Sequence, residues 1–356
     1  MRRRIVILSA FFPPFRSGAE ACAEEVAHAL SDRYDITVVT ARLRRDLPRE
    51  EKMGKVNVVR VGRGTAADKW LYPLLAARAA GKLKPDLIHA VLESFAGAAL
   101  VLCKKYAPSA KRLLTCQSTN TKLFLKRIHS AADRVTAIST TLIERAHALG
   151  KKNVQLIPNG IALSEIDRER KRTAKVPGRI LFVGRLEPMK GVDTLLRAFS
   201  AVLKRDKVDA FLYVVGDGSQ KRALQKLAKS LKLGDRCRFL GYIAPPEVFR
   251  EFAEAEIFCG LSRSEALGNV FLEAQAAGCA VLATKTGGIP DIVKDGETGL
   301  LVKPDSIEKI TELLLQLLED GQLRSHLAKA GMLHAKAYDW SEIAEKYGEV
   351  YAEMLR

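Results

Sequence analysis

Short runs of β-branched and apolar residues alternate with amphipathic stretches along the whole chain. In the first half, residues 4–10, 35–40, 56–61, 86–90, 112–115 and 134–138 read as strands. Residues 19–30, 94–106 and 140–149 carry helical spacing between them. This rhythm predicts βαβ units and a parallel sheet covered on both faces. It breaks at Asp167-Arg168-Glu169-Arg170-Lys171-Arg172, which carries no strand signal and leads to Pro177-Gly178, so residues 164–177 read as an interdomain linker. Strand runs then return at residues 179–183, 211–215, 236–240, 257–259 and 280–283, again separated by helical spacing. The expected fold class is α/β, with two Rossmann-like, doubly wound parallel-sheet domains facing across a cleft. Ligands in such sheets bind at the carboxyl ends of the strands. Residues 1–163 make the first domain and residues 178–338 the second. A final amphipathic helix over 339–356, apolar at Ile343, Tyr347, Val350 and Leu355, is expected to pack back on the first domain.

Composition narrows the class. A length of 356 residues favours two domains, and 47% hydrophobic content suffices for sizeable cores. Apolar runs such as residues 96–103 fall far short of the ~20 residues a bilayer crossing needs. The start, Met1-Arg2-Arg3-Arg4 followed by Ile5-Val6-Ile7-Leu8, resembles a signal peptide, but the apolar stretch is over by Pro13-Pro14, which favours a buried first strand. Six scattered cysteines, with no C-x-x-C pair and no histidine at ligand spacing, argue against a structural zinc or a disulfide framework and fit a reducing cytoplasm. Charge is uneven. Residues 1–165 hold 28 Lys+Arg against 14 Asp+Glu, whereas residues 166–356 hold 30 against 27. The first half is therefore expected to meet something anionic: nucleic acid, a phosphorylated substrate or an anionic membrane surface.

Three loops that follow strands carry candidate chemistry. Gly184 and Arg185 end one strand, and Lys190 and Gly191 open the next helix. Two cations and a helix N-terminus can converge there on one anion, as a diphosphate leaving group requires. The spacing is equally met by two surface cations on an ordinary loop. In Ser264-Glu265-Ala266-Leu267-Gly268-Asn269-Val270-Phe271-Leu272-Glu273, two carboxylates stand eight residues apart, the first in a loop and the second inside a helix starting near Gly268. The spacing is a little over two helical turns, so both would share one face if helical geometry roughly holds. Glu265 would then suit sugar hydroxyls, the amides of Gly268, Asn269 and Val270 a phosphate, and Glu273 ribose hydroxyls. A solvated glutamate and a helix-face glutamate are the plainer alternative. Pro13-Pro14-Phe15-Arg16-Ser17-Gly18-Ala19 places Arg16 and Gly18 at a helix start, without a Walker or G-x-G-x-x-G pattern.

Taken together and in order, these segments resemble the retaining family-4 glycosyltransferases of the GT-B fold. Val183-Gly184-Arg185-Leu186 through Lys190-Gly191 is similar to that family's G-R-L-x-x-x-K-G segment, and Glu265 with Glu273 to its E-x7-E motif. Ile157-Pro158-Asn159-Gly160-Ile161, Val215-Gly216-Asp217-Gly218, Gly287-Gly288-Ile289-Pro290 and Asp295-Gly296-Glu297-Thr298-Gly299 resemble its remaining signatures. The resemblance implies transfer of a sugar from a nucleoside-diphosphate-sugar to a hydroxyl of a glycan, lipid-linked or phosphorylated acceptor. It assigns Arg185 and Lys190 to the diphosphate, Glu265 to the donor sugar, and Glu273 to the ribose. Neither cofactor nor metal is implied, which agrees with the lack of a D-x-D-type cluster.

Two positions depart from the family pattern. Ala19 stands where a second glycine is common. Gln117, in Leu114-Thr115-Cys116-Gln117-Ser118, stands where many members carry a histidine. Glutamine can hydrogen-bond a donor sugar or acceptor but cannot act as a general base. His89 reads as a packed structural residue. The acceptor is expected on the basic first domain, where Lys104-Lys105, Lys111-Arg112 and residues 122–127 offer basic, partly apolar surface to anionic lipid or a phosphorylated acceptor. The location expected is the cytoplasm, peripheral to the inner face of the membrane. Uridine and guanosine donors both fit, with uridine favoured. A sugar phosphorylase, a nucleotide-sugar epimerase and a sugar-nucleotide-binding protein without turnover are alternatives. A nucleic-acid-binding role is disfavoured by the 6% aromatic content and the absence of a reading module.

Overall fold

The computed structural model describes residues 2–15, 18–119, 124–205 and 209–356. The chain divides into two compact units, residues 1–160 with 340–356, and residues 161–339.

The first unit runs β1 (Arg4–Leu8), α1 (Gly18–Leu30), β2 (Asp35–Ala41), β3 (Glu50–Met53), β4 (Val56–Val61), α2 (Asp68–Leu83) and β5 (Leu87–Val91). It continues through α3 (Phe95–Tyr106), β6 (Lys111–Cys116), α4 (Leu125–Ala131), β7 (Arg134–Ala137), α5 (Thr140–Ala148) and β8 (Val154–Leu156). The strands lie in the order β3-β4-β2-β1-β5-β6-β7-β8, parallel except for the edge strand β3. Central strands such as β5 are buried at every position, as a sheet covered on both faces demands.

The second unit begins with α6 (Leu163–Arg172), followed by β9 (Val176–Val183), α7 (Val192–Val202), β10 (Phe211–Val215), α8 (Lys221–Ser230) and β11 (Cys237–Gly241). Then come α9 (Glu247–Glu254), β12 (Ala255–Gly260), α10 (Asn269–Ala276), β13 (Ala280–Thr284), α11 (Ile289–Ile292), β14 (Leu300–Val302), α12 (Ile307–Glu319) and α13 (Gly321–Ala335). Its six parallel strands lie in the order β11-β10-β9-β12-β13-β14. Counted from β9 this is 3-2-1-4-5-6, the doubly wound order, and its topological switch point falls between β9 and β12.

The last helix, α14 (Trp340–Leu355), belongs to the first unit. Its Ile343, Tyr347, Val350 and Tyr351 are buried in one cluster with Ile5 and Ile7 of β1 and Cys22 and Val26 of α1.

Residues 164–177 are not a linker. Most of that stretch is α6, packed against α9, and Val176 and Pro177 already belong to β9. Its only buried side chain is Ile166, and Asp167 pairs with Arg170 and Lys171 one turn on, so a polar sequence becomes a helix through local ion pairs and a single apolar anchor. Just beyond it, the Lys175 ammonium donates to the carbonyls of Ala255 (2.6 Å), Ala277 (2.9 Å) and Phe252 (3.3 Å), tying the ends of α9 and α10 to the strand entry. Among the described residues, no helix is long and apolar enough to cross a membrane.

Candidate active site

The predicted site residues of the second unit gather at the switch point. Val183 ends β9 and Gly260 ends β12, and these are neighbouring strands, so the loops that follow them emerge side by side. The first loop carries Arg185 and, after a short helical turn over Pro188–Lys190, Lys190. The second carries Glu265. Lys190 Nζ donates to Glu265 Oε2, and Ser262 Oγ donates to the same oxygen at 3.2 Å. The Lys190 and Glu265 side chains are 16% and 14% exposed, so the pair is sheltered but open to a ligand. Arg185 is exposed and makes no side-chain hydrogen bond to a described residue. Glu187, between the two cations, accepts from the Ser219 hydroxyl (2.6 Å) and amide (3.0 Å). Those bonds, with nearby Arg185 as a lesser cause, hold its carboxyl below the usual range.

Two glycines explain why the loops can approach. Gly191 has φ +65°, and a Cβ there would lie 2.0 Å from the Leu261 carbonyl oxygen, so the turn bearing Lys190 packs directly on the strand end that leads to Glu265. Gly287 has φ +53°, and its Cβ would lie 1.8 Å from the Glu265 carbonyl oxygen, which also accepts from Gly288 N at 3.2 Å. The glycine pair after β13 thus clamps the backbone of Glu265.

Glu265 lies in a loop and Glu273 inside a helix that starts beside Gly268, as expected, but helical geometry does not extend between the two carboxylates. α10 begins only at Asn269, with Gly268 as its cap at φ +93°, and Glu273 is half-buried within it. The first turn leaves the Asn269 and Val270 amides without an intrahelical acceptor, beside the loop of Glu265. The Gly184 amide, by contrast, is engaged by the Val215 carbonyl at 3.0 Å, which leaves it none to offer a phosphate.

Sequence reasoning passed over Arg263, two residues before Glu265. Its guanidinium donates to Asp193 (2.8 and 3.0 Å), Asp305 (2.7 and 2.9 Å), Thr194 Oγ1 (3.0 Å) and the Pro188 carbonyl, and its amide donates to Met189 O at 2.7 Å. These bonds raise its pKa further above the ordinary arginine range. The only signal was position, an arginine inside the Ser262–Glu265 segment, because its partners lie 42 and 70 residues away.

In the first unit, Gly18 is the exposed first residue of α1, and Arg16 lies outside the described residues. So do residues 122 and 123 of the basic stretch. Gln117 is buried and exchanges two amide hydrogen bonds with Asn159, both 2.9 Å, while its backbone N–H donates to Glu93 Oε2 at 3.0 Å. Glu93 is itself buried and paired with Arg145, beside Cys116 and His129. Burial opposes its ionisation, yet the neighbouring His129 ring 3.9 Å away, the Arg145 charge and the Gln117 amide hold its carboxyl below the usual range. Glu93, Cys116 and His129 come within metal-ligand distance of one another, but the guanidinium of Arg145 already sits on Glu93 Oε1 and supplies the positive charge. His89 is fully buried, bridging the Tyr351 hydroxyl (2.8 Å) and Thr115 Oγ1 (2.7 Å). Of the basic surface, Arg112 is committed to Asp133 and the Ala131 carbonyl, and Lys104 to the Ser130 carbonyl.

Two loops at a doubly wound switch point, one bearing cations and the other a carboxylate, define a nucleotide-type site on an α/β fold. Residues 164–334 match the family described as Glycosyl transferases group 1, and residues 16–165 the Glycosyltransferase Family 4. The chain belongs to these glycosyltransferases, with the GT-B fold. It is 36% identical over 182 residues to a D-inositol 3-phosphate glycosyltransferase of Corynebacterium aurimucosum, covering 49% of this chain and 43% of the relative. It is 32% identical over 246 residues to a GDP-mannose-dependent alpha-(1-6)-phosphatidylinositol monomannoside mannosyltransferase of Mycobacterium tuberculosis, covering 63% of each. The chain thus spans about half the length of the curated relatives it matches. Sucrose-phosphate synthase of Thermosynechococcus elongatus superimposes with a TM-score of 0.87 at 21% identity over 99% of both chains.

Proposed function

We propose that the protein transfers a glycosyl group from a nucleoside-diphosphate-sugar to a hydroxyl of a phosphorylated or lipid-linked acceptor, with retention at the anomeric carbon. The observation that carries this reading is the meeting of Lys190 and Glu265 at the β9/β12 switch point, with Arg185 exposed on the same loop as Lys190. Arg185 and Lys190 receive the diphosphate, where two cations and the amides at the start of α10 stabilise the charge that builds as the leaving group departs. Glu265 turns from Lys190 to the donor-sugar hydroxyls, and Glu273 holds the ribose. The bond between the anomeric carbon and the β-phosphate oxygen breaks with its electron pair on the diphosphate. The acceptor oxygen bonds to the same face, and its proton passes to the departing phosphate. With the leaving charge met by side chains, no divalent cation is needed, and a chelator should leave turnover unchanged. An anionic acceptor accords with the lysine and arginine surplus of residues 1–165 and with the phosphate-bearing acceptors in the relatives' names.

The test is a thermal-shift titration with UDP and GDP on wild type, Lys190→Ala and Glu273→Ala. A ligand at about 100 times its dissociation constant adds roughly 2.7 kcal/mol of apparent stability. One diphosphate should raise the wild-type melt and raise both variants clearly less, since a tenfold weaker site keeps only about 1.4 kcal/mol of that stabilisation. Absence of a shift with either nucleotide would remove the donor site.

A further inference from the structure

We propose that Arg263 is a positioning residue that sets Lys190 at the distance from Glu265 needed to grip a diphosphate. The inference rests on the donor reading above. Arg263 lies on the Glu265 loop, yet every partner of its side chain lies elsewhere. The Pro188 carbonyl belongs to the turn that ends at Lys190, Asp193 and Thr194 to the first turn of α7, and Asp305 to the approach to α12. The Arg263 backbone amide binds Met189 O, the residue next to Lys190. One residue thus fastens the Lys190 turn from two sides while its own loop carries Glu265 two positions further on.

The chemistry requires arginine rather than a generic cation. The planar fork addresses the Asp193 carboxylate with two parallel bonds and still reaches Asp305 and a carbonyl, which a lysine ammonium cannot span. Thr194 Oγ1, at 3% exposure, accepts from Arg263 at 3.0 Å and donates to Asp305 Oδ1 at 2.6 Å, so it holds the carboxylate on the same oxygen that Arg263 binds. The side chain of Arg263 is 30% exposed, so its ion pairs are partly screened and their value lies in geometry more than in global stability. Nothing in the network touches Arg185, so its loss should displace the turn that carries Lys190 and leave Arg185 in place.

The experiment measures dissociation constants of UDP and UMP, and of GDP and GMP, for wild type, Lys190→Ala, Arg263→Gln, Arg263→Lys and the double variant Arg263→Gln/Lys190→Ala, with the thermal melt of each. Lys190→Ala should cut the preference for diphosphate over monophosphate about tenfold, the size of a lost charge-assisted contact. Arg263→Gln and Arg263→Lys should each cut it roughly three- to tenfold with monophosphate binding unchanged, and the double variant should lose no more than Lys190→Ala, because residues acting through one contact are not additive. Arg263→Lys keeps a cation between the two aspartates and should hold the wild-type melt while still losing the preference. Equal weakening of mono- and diphosphate, retention of the preference in both Arg263 variants, or additive losses in the double variant would overturn the positioning role and leave the donor reading standing. A Lys190→Ala protein with the wild-type preference, or a wild type that binds no nucleotide, would overturn both.

Discussion

Lys190 and Glu265 are 75 positions apart in sequence, and the Lys190 ammonium donates to a Glu265 carboxylate oxygen where the loops after β9 and β12 meet. Each residue neutralises the other across the place where, in our reading, the donor's diphosphate and sugar would lie. Donor binding then becomes an exchange of partners rather than the entry of an anion beside a bare carboxylate.

This exchange separates two substitutions. Lys190→Ala should weaken nucleoside diphosphate binding by about tenfold, because it removes the cation. Glu265→Gln keeps that cation and removes the charge opposite it, so diphosphate binding should hold or tighten while sugar transfer falls by about a hundred- to a thousandfold. Calorimetric titration with UDP or GDP, set beside turnover of the corresponding nucleotide-sugar, distinguishes the two. Parallel losses in both measurements for both variants would contradict the assigned roles.

The clamp on the Glu265 backbone predicts an unequal response at two nearby glycines. Gly287 and Gly296 both have positive φ, +53° and +74°, but only at Gly287 would a Cβ meet backbone, 1.8 Å from the Glu265 carbonyl, whereas at Gly296 nothing lies within 4 Å. Gly296→Ala should cost about 1–2 kcal/mol, the strain of a left-handed alanine. Gly287→Ala adds displacement of the Glu265 loop and should cost roughly 2–4 kcal/mol. Chemical denaturation compares the two directly. Equal costs would mean that the glycine pair does not hold Glu265.

His89 predicts how stability depends on pH. Burial pushes its pKa down from 6.5 to about 3. The unfolded chain therefore binds a proton that the folded chain refuses between those values. Its contribution is complete above the unfolded pKa of 6.5 and is lost as pH falls through the interval toward about 3, with a slope of about 1.4 kcal/mol per pH unit while one proton separates the states. Replacing His89 with glutamine removes that proton, so the slope of stability against pH from 6 to 4 should fall by about one proton relative to wild type. Denaturation across that range provides the comparison, and identical slopes would show that His89 does not titrate on unfolding.

What could be read in the chain, and what could not, divides by the range of the forces involved. The strands of the central sheets announced themselves because both faces are buried and nearly every position is apolar, as in Leu87–Val91, where His89 is the one polar residue. β3, with the sequence Glu50-Glu51-Lys52-Met53, did not, because an antiparallel edge strand takes charge where a central one takes valine. α6 was missed for a related reason, since helices held by their own ion pairs show no apolar stripe. At the site, strand–loop–helix punctuation places Arg185, Lys190 and Glu265 at sheet ends, but only the ordered motifs of the family resemblance singled them out from surface side chains, and the fold then brings Lys190 to Glu265. Arg263 was not, since an arginine identifies its partners only once the chain has brought Asp193 and Asp305 to it. Gln117 shows the converse. The sequence marked it for a ligand, and the fold gives both ends of its amide to Asn159.

That last pairing makes a prediction with two separable outcomes. Gln117 and Asn159 are 7% and 3% exposed and bind each other reciprocally. Removing one partner leaves a buried amide unsatisfied, so Gln117→Ala and Asn159→Ala should each cost about 1–3 kcal/mol. The double variant should cost clearly less than the sum, because each single change already forfeits the shared bonds. A purely structural pair ends there, with the variants folding less well but the surviving folded protein keeping wild-type turnover per molecule. If Gln117 also meets the donor sugar or acceptor, as its place in the resemblance implies, Gln117→Ala should lose turnover well beyond Asn159→Ala at matched folded fraction. The Gln117 carbonyl retains one lone pair beyond that given to Asn159, which is sufficient to accept from a substrate hydroxyl without breaking the pair. Denaturation midpoints taken together with turnover per folded molecule decide between the two roles, and equal turnover in the two single variants would confine Gln117 to structure.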